Sequence, residues 1–516
     1  MKRRTFLKNT SLFTLPGILG GFNVAAMPSG LLASMVNGDS DRVLVLIEMS
    51  GGNDGLNTFI PLDGYDNLAN ARPDVIIPEN ELLGMTDTIK LHPSMEGIRN
   101  LYEEESLALV QGVGYPNQNR SHFRSTDIWN TAVNADEYKS TGWIGRYLDD
   151  GFPGYPEDFP NDDCPDPFAV TMGGSISVNC QGVSSNFSHS ILDVNNIGGL
   201  NTGVEADLPN DCYGSEMTFM VDAYIKSNEY SERVVLAADQ GGNSNNNYPA
   251  STLGQQLKTV ARLIDGGLQS RVYVLSIGGF DTHDGQVEEG EPTIGWHADL
   301  LRNLSDSIYA FQQDLKGLGL EERVVGMTYS EFGRKIISNA AFGTDHGSAA
   351  PMMVFGSCVN PTVIGANPTI DANVDPEEGV AMQYDFRSVY GSLLMDWFEV
   401  PEEKILTLLS PDFTYIPLVT GCIASDTEEL ITILNTDAFP NPFDNQFNIR
   451  FALEENLDVR IDLFDVVGKR VKQISNKSFT SGAHQIKVEG HDLSTGVYFV
   501  RIQAGNGVKS LRIVKQ

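Results

Sequence analysis

Four stretches of this chain place Ser, Asp, Glu or His directly after an apolar run. These residues are Asp54 in "SGGNDGLN"; Ser121, His122 and Asp127 in "NRSHFRSTDIW"; Asp281 and His283 in "GGFDTHDGQ"; and Glu331 after a fourth run, with Asp345 and His346 in "GTDHGSAAP" further on. Gly and Asp are common in turns for local reasons, so one such stretch is weak evidence. Four that converge on one sheet edge indicate a functional site.

Metal-assisted ester hydrolysis is the chemistry that suits this set. Carboxylates and imidazoles bind divalent ions, which activate a hydroxyl nucleophile and neutralise the oxygens of a phosphoryl or sulfuryl group. Ser121 stands where a loop enters the helical pattern "SHFRSTDIWNTA", which predicts a hydroxyl at a helix N-terminus, a natural site for an anion. The alternative is that Ser121 is a plain N-cap with no catalytic role.

The elements that must position these residues are near-continuous apolar runs, typical of strands buried on both faces of a mainly parallel sheet. The runs are 42–49, 106–113, 271–277, 323–330 and 351–356. Helical patterns lie between them at 252–265 and 296–319, and the second ends at a glycine suited to a C-terminal cap. This order predicts a doubly wound α/β domain over residues 40–422, in which ligands bind outside the carboxyl ends of the strands.

Composition indicates a large globular protein that does not bind nucleic acid. The chain has 516 residues, of which 41% are hydrophobic, enough to bury large cores. Its 68 Asp and Glu against 35 Lys and Arg give a net charge of -33, which repels nucleic acid and anionic lipid alike. No run beyond the N-terminal segment reaches the length of a transmembrane helix, so we expect no span in the mature protein.

Residues 1–36 are predicted to be an export signal. Arg3 and Arg4 precede Phe6 and Leu7, and the apolar stretch that follows is too short and too broken by Gly and Pro to span a membrane. The start resembles the twin-arginine signal, which implies export of a folded protein. A short amphipathic arm is the alternative. We therefore expect a protein that is secreted or held at the cell surface, reached through the periplasm.

The middle of the chain has a different composition. Residues 160–250 are rich in Asn, Gly and Ser and include "QGGNSNNNYPA". We predict an insertion or lid over the sheet, since variable loops often carry substrate contacts, and the alternative is a disordered surface loop. Three of the five cysteines fall in residues 160–212, where a disulfide would be useful in an oxidising compartment, but the sequence assigns no pairing. Cys358, inside an apolar run, is predicted to be a buried small hydrophobe.

The C-terminal region has a strand pattern. After an acidic connector at 423–436, residues 437–516 alternate polar and apolar residues between Gly, Asn and Asp turns. This pattern predicts a small antiparallel β-sandwich. Its motifs "FPNPFDNQFNIRF" and "LSTGVYFVRIQ" resemble the C-terminal sorting domain of type IX secretion, which implies contact with secretion machinery. The alternative is a carbohydrate-binding or spacer sandwich.

The polar stretches carry a second resemblance. "GGNDGLNTFIPL", "NRSHFRSTDIW", "GGFDTH", "SEFGR" and "GTDHG", in this order, resemble the bacterial family called domain of unknown function 1501, placed in the alkaline phosphatase and sulfatase superfamily. The resemblance covers residues 1 to about 400 and implies an α/β core with metal at the strand ends. The positions that match the superfamily's roles are Asp54, Ser121, Asp281, His283, Asp345 and His346.

Two departures from the superfamily pattern alter the expected ligand set. Asp281 and His283 are only two positions apart, and no further His follows His346 before His484. In one interpretation Glu331 is a metal ligand in place of the expected Asp, and Asp345 does not bind the metal but orients a residue that does. The other is a site with one metal or none, on a protein that only binds.

The expected function is hydrolysis of phosphate or sulfate esters by an exported metal-dependent enzyme. Mixed Asp and His ligation favours zinc or manganese, and calcium would need an all-oxygen subset. Ser121 is the expected nucleophile, and His122, Arg124 and Asn53 are expected to bind the substrate, an anionic ester or glycan. "SHFRS" lacks the C/S-x-P-x-R signature of ordinary sulfatases. The alternative is a non-catalytic surface protein that binds glycans or assembles with a partner.

Overall fold

The computed structural model describes residues 41–194, 212–419, 422, 433–453, 456–465, 469–504 and 507–516. The predicted export signal 1–36 and most of the predicted connector 423–436 lie outside these residues. None of the described helices is long and apolar enough to cross a membrane.

Helices and strands alternate through the first four hundred residues. The helices are α1 Gly55–Thr58, α2 Tyr65–Ala71, α3 Glu96–Glu103, α4 His122–Thr131, α5 Trp143–Gly151, α6 Cys212–Gln240, α7 Thr252–Asp265, α8 Trp296–Leu318, α9 Phe386–Phe398 and α10 Glu402–Leu408. Short 3₁₀ helices lie at Glu79–Glu81, Val178–Cys180 and Glu321–Arg323.

The strands of the first region form the central sheet and two smaller sheets. They are β1 Val43–Ser50, β2 Phe59–Pro61, β3 Leu83–Gly84, β4 Ile89–Leu91, β5 Leu107–Gly114, β6 Ala169–Met172, β7 Ser188–Ile191, β8 Val272–Gly278, β9 Val324–Tyr329, β10 Arg334–Ser338, β11 Thr344–His346, β12 Ala350–Phe355, β13 Val363–Ile364 and β14 Tyr384–Asp385. The central sheet has the order β13-β5-β12-β9-β1-β8-β6-β7, with β14 beside β5.

The central sheet is mainly parallel, which confirms the predicted fold class. Strand β12 is antiparallel to both of its neighbours, β5 and β9, whereas the other pairs are parallel. All five predicted apolar runs form strands of this sheet, namely β1, β5, β8, β9 and β12. The helix predicted at 252–265 is α7, and α8 ends before Gly319, whose φ of 72° makes it the predicted left-handed cap.

Burial on both faces explains why the central strands are apolar throughout. Val43, Val45 and Ile47 of β1 belong to one hydrophobic cluster with residues of α3, α7 and α8. Leu44 and Leu46 point to the opposite face because successive side chains of a strand alternate, and they are buried as well. A strand covered on both sides has no position at which a polar residue meets water, and the polar residues therefore gather at its ends.

Several strands end at the same edge of the sheet. In β1, β8 and β9, Ser50 lies opposite Gly278 and Glu48 opposite Tyr329, so that the three carboxyl ends meet. Strand β5 runs in the same direction, because β12 is antiparallel to both β5 and β9. The hairpin β10–β11, in which Arg334 pairs with His346, follows β9.

Residues 160–250 supply part of the central sheet as well as surface loops. Strands β6 and β7 of this segment extend the sheet beside β8, and α6 follows them. The loop "GGNSNNNYPA" is anchored on the buried carboxylate of Asp314 in α8, which accepts hydrogen bonds from Asn243 Nδ2 at 2.7 Å and Tyr248 OH at 2.8 Å. The two strands are thus structural, and a lid role stays a prediction for the remaining loops.

Cys358 is buried, as predicted. This residue is not an unpaired hydrophobe but forms a disulfide with Cys422, 64 residues further along the chain. Cys164 and Cys180, in the stretch where a disulfide was expected to be useful, are free thiols. The bond ties the segment that precedes the connector to the loop after β12.

The C-terminal region is antiparallel, as predicted. Its strands are β15 Ile433–Phe439, β16 Gln446–Leu453, β17 Leu457–Asp465, β18 Arg470–Phe479, β19 Gly482–Glu489, β20 Gly496–Ala504 and β21 Gly507–Lys515. They form two sheets, of order β15-β16-β19 and β18-β17-β20-β21. Alternate residues such as Phe447, Ile449 and Phe451 fill a separate hydrophobic cluster.

Candidate metal centre

Asp281 is the centre of a cluster of imidazoles at the carboxyl edge of the central sheet. It lies in the loop after β8, with 48% of its side chain exposed. Gly51, at a φ of 120°, allows the loop after β1 to approach this loop closely, since a Cβ there would lie 2.3 Å from the backbone nitrogen of Asp281.

Arg334 holds the Asp281 carboxylate from the buried side. The guanidinium of this fully buried residue donates to Asp281 Oδ1 at 2.8 Å and to the carbonyl oxygens of Gly52, Phe280 and Thr344. Burial acts to raise the pKa of Asp281, but the hydrogen bond and the positive charge of Arg334 outweigh it, and the pKa falls to about 2. Asp281 is therefore a carboxylate at neutral pH.

His122 presents one ring nitrogen to Asp281 and the other to Glu331. Its Nδ1 donates to Glu331 Oε1 at 2.8 Å, and its Nε2 lies 3.4 Å from Asp281 Oδ2. Glu331 is buried and is itself fixed by hydrogen bonds from the backbone nitrogens of Gly51 and Gly52. The carboxylate thus sets both the tautomer and the orientation of the imidazole.

His346 has the same arrangement with a backbone acceptor. Its Nδ1 donates to the carbonyl oxygen of Arg120 at 2.8 Å, and its Nε2 lies 3.0 Å from Asp281 Oδ1. Burial lowers the pKa of His346, so that the ring is neutral at neutral pH.

His283 completes the cluster from the loop that also carries Asp281. Its Nδ1 donates to Asp345 Oδ1 at 2.9 Å, and its Nε2 lies 3.1 Å from Asp281 Oδ1 and 2.8 Å from Nε2 of His346. The hydrogen bond from His283 is the main cause that lowers the pKa of Asp345. Asp345 therefore orients an imidazole and does not face Asp281.

The cluster has the donor set of a divalent metal site. A neutral imidazole carries one proton, and each of the three rings has an acceptor beside Nδ1; with the proton on Nδ1, each Nε2 presents a lone pair that a metal ion can bind. The Nε2 of His122 is buried and has no hydrogen-bond partner. Ligand atoms of His122, Asp281 and His346 all lie within 4.8 Å of one another. Lone pairs and a carboxylate in such proximity repel each other unless a cation lies between them.

Two residues that were expected at the site face the interior instead. Asp54 is buried and pairs with Arg72, which donates at 2.8 Å, and it also accepts a hydrogen bond from Gln286 at 2.7 Å. Burial raises its pKa, but Arg72 and Gln286 bring that pKa below the ordinary value. Asn53, expected to bind substrate, accepts hydrogen bonds from Thr58 and His297. The structure does not bring either residue to the imidazoles.

Ser121 and Arg124 lie on either side of the point where α4 begins. Ser121 is the N-cap residue of α4 and is exposed, and its hydroxyl makes no capping hydrogen bond. Arg124, expected to bind substrate, pairs with Asp127, donates to the carbonyl oxygen of Ala135 at 3.0 Å and stacks on Tyr138. The chain neighbours of Ser121, Arg120 and His122, both contact the cluster. Ser121 is thus the better placed of the two residues.

Sequence reasoning did not identify Arg334 as the partner of Asp281. It also assigned His122 to substrate binding rather than to the imidazole cluster. The "SEFGR" motif contains Arg334 and was available as a signal, because an Arg three residues after a strand-end Glu is a natural partner for a carboxylate at the same edge. The carbonyl of Arg120 has no such signal, since any residue offers the same backbone oxygen.

Family comparisons match two parts of the chain. Residues 226–388 match the family described as "Protein of unknown function (DUF1501)", and residues 437–516 match "Secretion system C-terminal sorting domain". No curated protein matches this chain. The sorting domain indicates export to the cell surface or secretion, and hence an interaction with secretion machinery, as expected.

Solved structures with a similar course of the chain have low identity. A protein in the alkaline phosphatase superfamily from Vibrio parahaemolyticus is 9% identical, with 94% of this chain and 88% of that chain covered and a TM-score of 0.31. The phosphonate monoester hydrolase SpPMH from Silicibacter pomeroyi is also 9% identical, with 92% and 88% covered and a TM-score of 0.32.

A further solved structure matches a small share of the chain. PorZ of the type-IX secretion system of Porphyromonas gingivalis is 17% identical, with 16% of this chain and 11% of that chain covered and a TM-score of 0.12. This chain therefore spans only a small part of the length of PorZ. Both resemblances noted in the sequence are confirmed as family matches, DUF1501 over residues 226–388 of the predicted 1 to about 400 and the secretion system C-terminal sorting domain over residues 437–516.

Proposed function

We propose that the protein is an exported, metal-dependent hydrolase of phosphate or sulfate esters. The observation that supports this best is the convergence of three imidazole Nε2 atoms on the Asp281 carboxylate, each with its Nδ1 held by an acceptor. Metal-ligating histidines usually have such an acceptor behind them, because it fixes the ring and raises its basicity.

His122, Asp281 and His346 are the proposed ligands, with His283 as a fourth. Nitrogen donors with a single carboxylate suit zinc or manganese better than calcium, which prefers a shell of oxygens. A divalent ion held there would supply a Lewis acid for the oxygens of the ester and lower the pKa of a nucleophile. Arg334 contributes by keeping Asp281 ionised, and Glu331 and Asp345 contribute by holding two of the rings.

Ser121 is the proposed nucleophile. Its hydroxyl is exposed and is not used to cap α4, although a plain N-cap serine would normally make that bond. The helix N-terminus that follows it has backbone N–H groups without intrahelical partners, which favour an anionic group beside the serine. The alternative, a protein that binds glycans or a partner without catalysis, is favoured if the imidazole cluster takes up no metal.

Elemental analysis and an ester assay test the proposal together. Purified wild type is compared with Asp281→Asn, His346→Ala and Ser121→Ala, with His491→Ala as the control because His491 is an exposed histidine of the sorting domain. We expect the first two variants to lose metal and activity, and Ser121→Ala to lose turnover but keep the metal. A metal-free wild type that stays inactive on phosphate and sulfate esters after zinc or manganese is added would overturn the proposal.

A further inference from the structure

Two cations beside the imidazole cluster share one exposed carboxylate. Glu377 Oε2 lies 2.9 Å from Lys335 Nζ and 3.6 Å from Arg120 Nη1. Arg120 also donates through Nη2 to the backbone carbonyl of Glu377 at 2.8 Å. The side chains of Arg120 and Lys335 thus converge on one point, although one residue precedes α4 and the other lies in β10.

Both residues are linked to a proposed metal ligand, Arg120 through its own carbonyl oxygen and Lys335 through Asp345. The carbonyl of Arg120 holds the ring of His346. Lys335 Nζ lies 3.8 Å from Asp345 Oδ2, and the other oxygen of that carboxylate holds His283. The point that the cations share is therefore at the rim of the imidazole cluster, at the same edge of the sheet.

The burial of the three side chains is unequal. Glu377 is 75% exposed, whereas Lys335 is 13% and Arg120 is 35% exposed. An exposed carboxylate in an ion pair gains little, because water solvates it nearly as well when it leaves. Lys335 is largely buried and Arg120 is held by the backbone carbonyl of Glu377, so the exposed Glu377 carboxylate is the member of the group that is easily replaced.

The other arginines of this edge are already engaged. Arg334 is fully buried and bound to Asp281 and to carbonyl oxygens, Arg72 is paired with Asp54, and Arg124 is bound to Asp127 and the following loop. In a chain with a net charge of -33, two cations that face one point form a local exception. Two adjacent cations bind a further negative group better than an isolated cation does.

We propose that Arg120 and Lys335 form a binding site for a tetrahedral oxyanion, phosphate or sulfate, and that Glu377 occupies this site as an internal competitor. An Arg with two donors and a Lys beside it are the usual partners of such a group. The anion replaces the Glu377 carboxylate on both cations, and residue 377 retains its backbone bond to Arg120. This inference rests on the proposed function in that it places the anion of the ester beside the metal ligands.

Calorimetric titration of the full chain with inorganic phosphate, and separately with sulfate, tests the site. Glu377→Gln keeps the shape of the side chain and removes the competing charge, so we expect affinity to rise about three- to tenfold over wild type. Asp371→Asn is the matched control, because it removes one charge from an exposed position in the same segment. Arg120→Gln combined with Glu377→Gln should cancel the gain, and the carbonyl that holds His346 is kept in this variant.

The outcomes separate this inference from the proposed function. An equal gain in Asp371→Asn, or a gain that survives Arg120→Gln, would mean general electrostatics and overturn the site. Unchanged affinity in Glu377→Gln, in a protein that binds metal and hydrolyses esters, would refute the site alone. A gain in Glu377→Gln in a protein without metal or activity would support the site and leave the hydrolase proposal refuted. The anion that gains more identifies the ester class.

Discussion

Two polar clusters lie at the same edge of the central sheet, and they differ in what holds them. In the inner cluster, Asp54 is closed off by Arg72 and Gln286, and all three side chains are buried. In the outer cluster, Asp281 is half exposed and is fixed on one side only, by Arg334. Both carboxylate oxygens of Asp54 accept hydrogen bonds from the protein. Oδ2 of Asp281, by contrast, lies 3.4 Å from the Nε2 of His122.

This difference separates residues that stabilise the fold from residues that are available for chemistry. A buried carboxylate with a guanidinium partner is satisfied and cannot change partners without a large cost. A carboxylate that is hydrogen-bonded on its buried side and exposed on its other side can bind a ligand without losing that partner. The two clusters therefore predict different results for the same Asp→Asn substitution.

The largest effect is expected from Asp54→Asn. Loss of this charge leaves Arg72 buried without its counter-ion, and breaking one partner of a buried pair costs about 3–5 kcal/mol of unfolding free energy. Asp281→Asn should cost less, about 1 kcal/mol, because Asp281 is half exposed and water screens its pair with Arg334. Urea denaturation of both variants measures the difference. Equal losses would mean that the outer cluster is structural too.

The second effect is the pH dependence of stability that two buried histidines cause: His297, whose Nε2 lies 3.0 Å from Asn53 Oδ1, and His92, whose ring centroid lies 6.1 Å from that of His297. Burial lowers the pKa of His297 to about 4 and that of His92 to about 3. The unfolded chain takes up these protons near pH 6.5, whereas the folded protein does not until far lower pH. Stability is therefore fully present above pH 6.5 and is lost as the pH falls below it.

The expected loss between pH 7 and 5.5 is roughly 2–3 kcal/mol for the two histidines together. Denaturation midpoints across this range measure it, and His297→Gln should reduce the slope even if it lowers the stability at every pH. A slope that is unchanged in His297→Gln would show that other groups cause the dependence. Asp281, whose pKa is about 2, does not titrate in this window.

The division between the two clusters also marks what could be predicted from the sequence. Apolar runs such as 42–49 predict strands because they need no information from elsewhere in the chain. The same runs predict that Asp54, Asp281 and Glu331 lie at one edge. Whether a residue at that edge is buried or exposed depends on its hydrogen-bond partners. For Asp54 these are Arg72, 18 residues later, and Gln286, 232 residues later, and no local pattern contains them.

The orientation of the imidazoles could not be predicted from the sequence for the same reason. His122 was expected to bind substrate, but its partner Glu331 lies 209 residues further on. The expectation that Glu331 is a ligand and Asp345 an orienting residue depended on the superfamily's ligand pattern and on the place of Glu331 directly after a strand. In the structure each of them accepts a hydrogen bond from an Nδ1. Pairs of this kind are set by tertiary packing.

The next effect concerns the buried acceptor behind the outer cluster. Glu331→Gln keeps an oxygen for His122 Nδ1 but removes the charge that raises the basicity of the ring. We expect metal affinity to fall about 10- to 100-fold, the usual range for such partners. Competition with a chromophoric zinc chelator measures it. An unchanged affinity would show that His122 is not a ligand, and it would return this residue to the substrate-binding role expected from the sequence.

The smallest effect is expected from Asp345→Asn, the exposed counterpart of that substitution. Asp345 is 43% exposed, and water can replace part of what its carboxylate gives to His283, whereas Glu331 is 2% exposed and cannot be replaced in this way. We therefore expect metal affinity to fall about tenfold or less. The chelator competition that is used for Glu331→Gln gives both values on one scale. A loss in Asp345→Asn that exceeds the loss in Glu331→Gln would reverse the ranking, and it would make His283, rather than His122, the ligand on which the site depends.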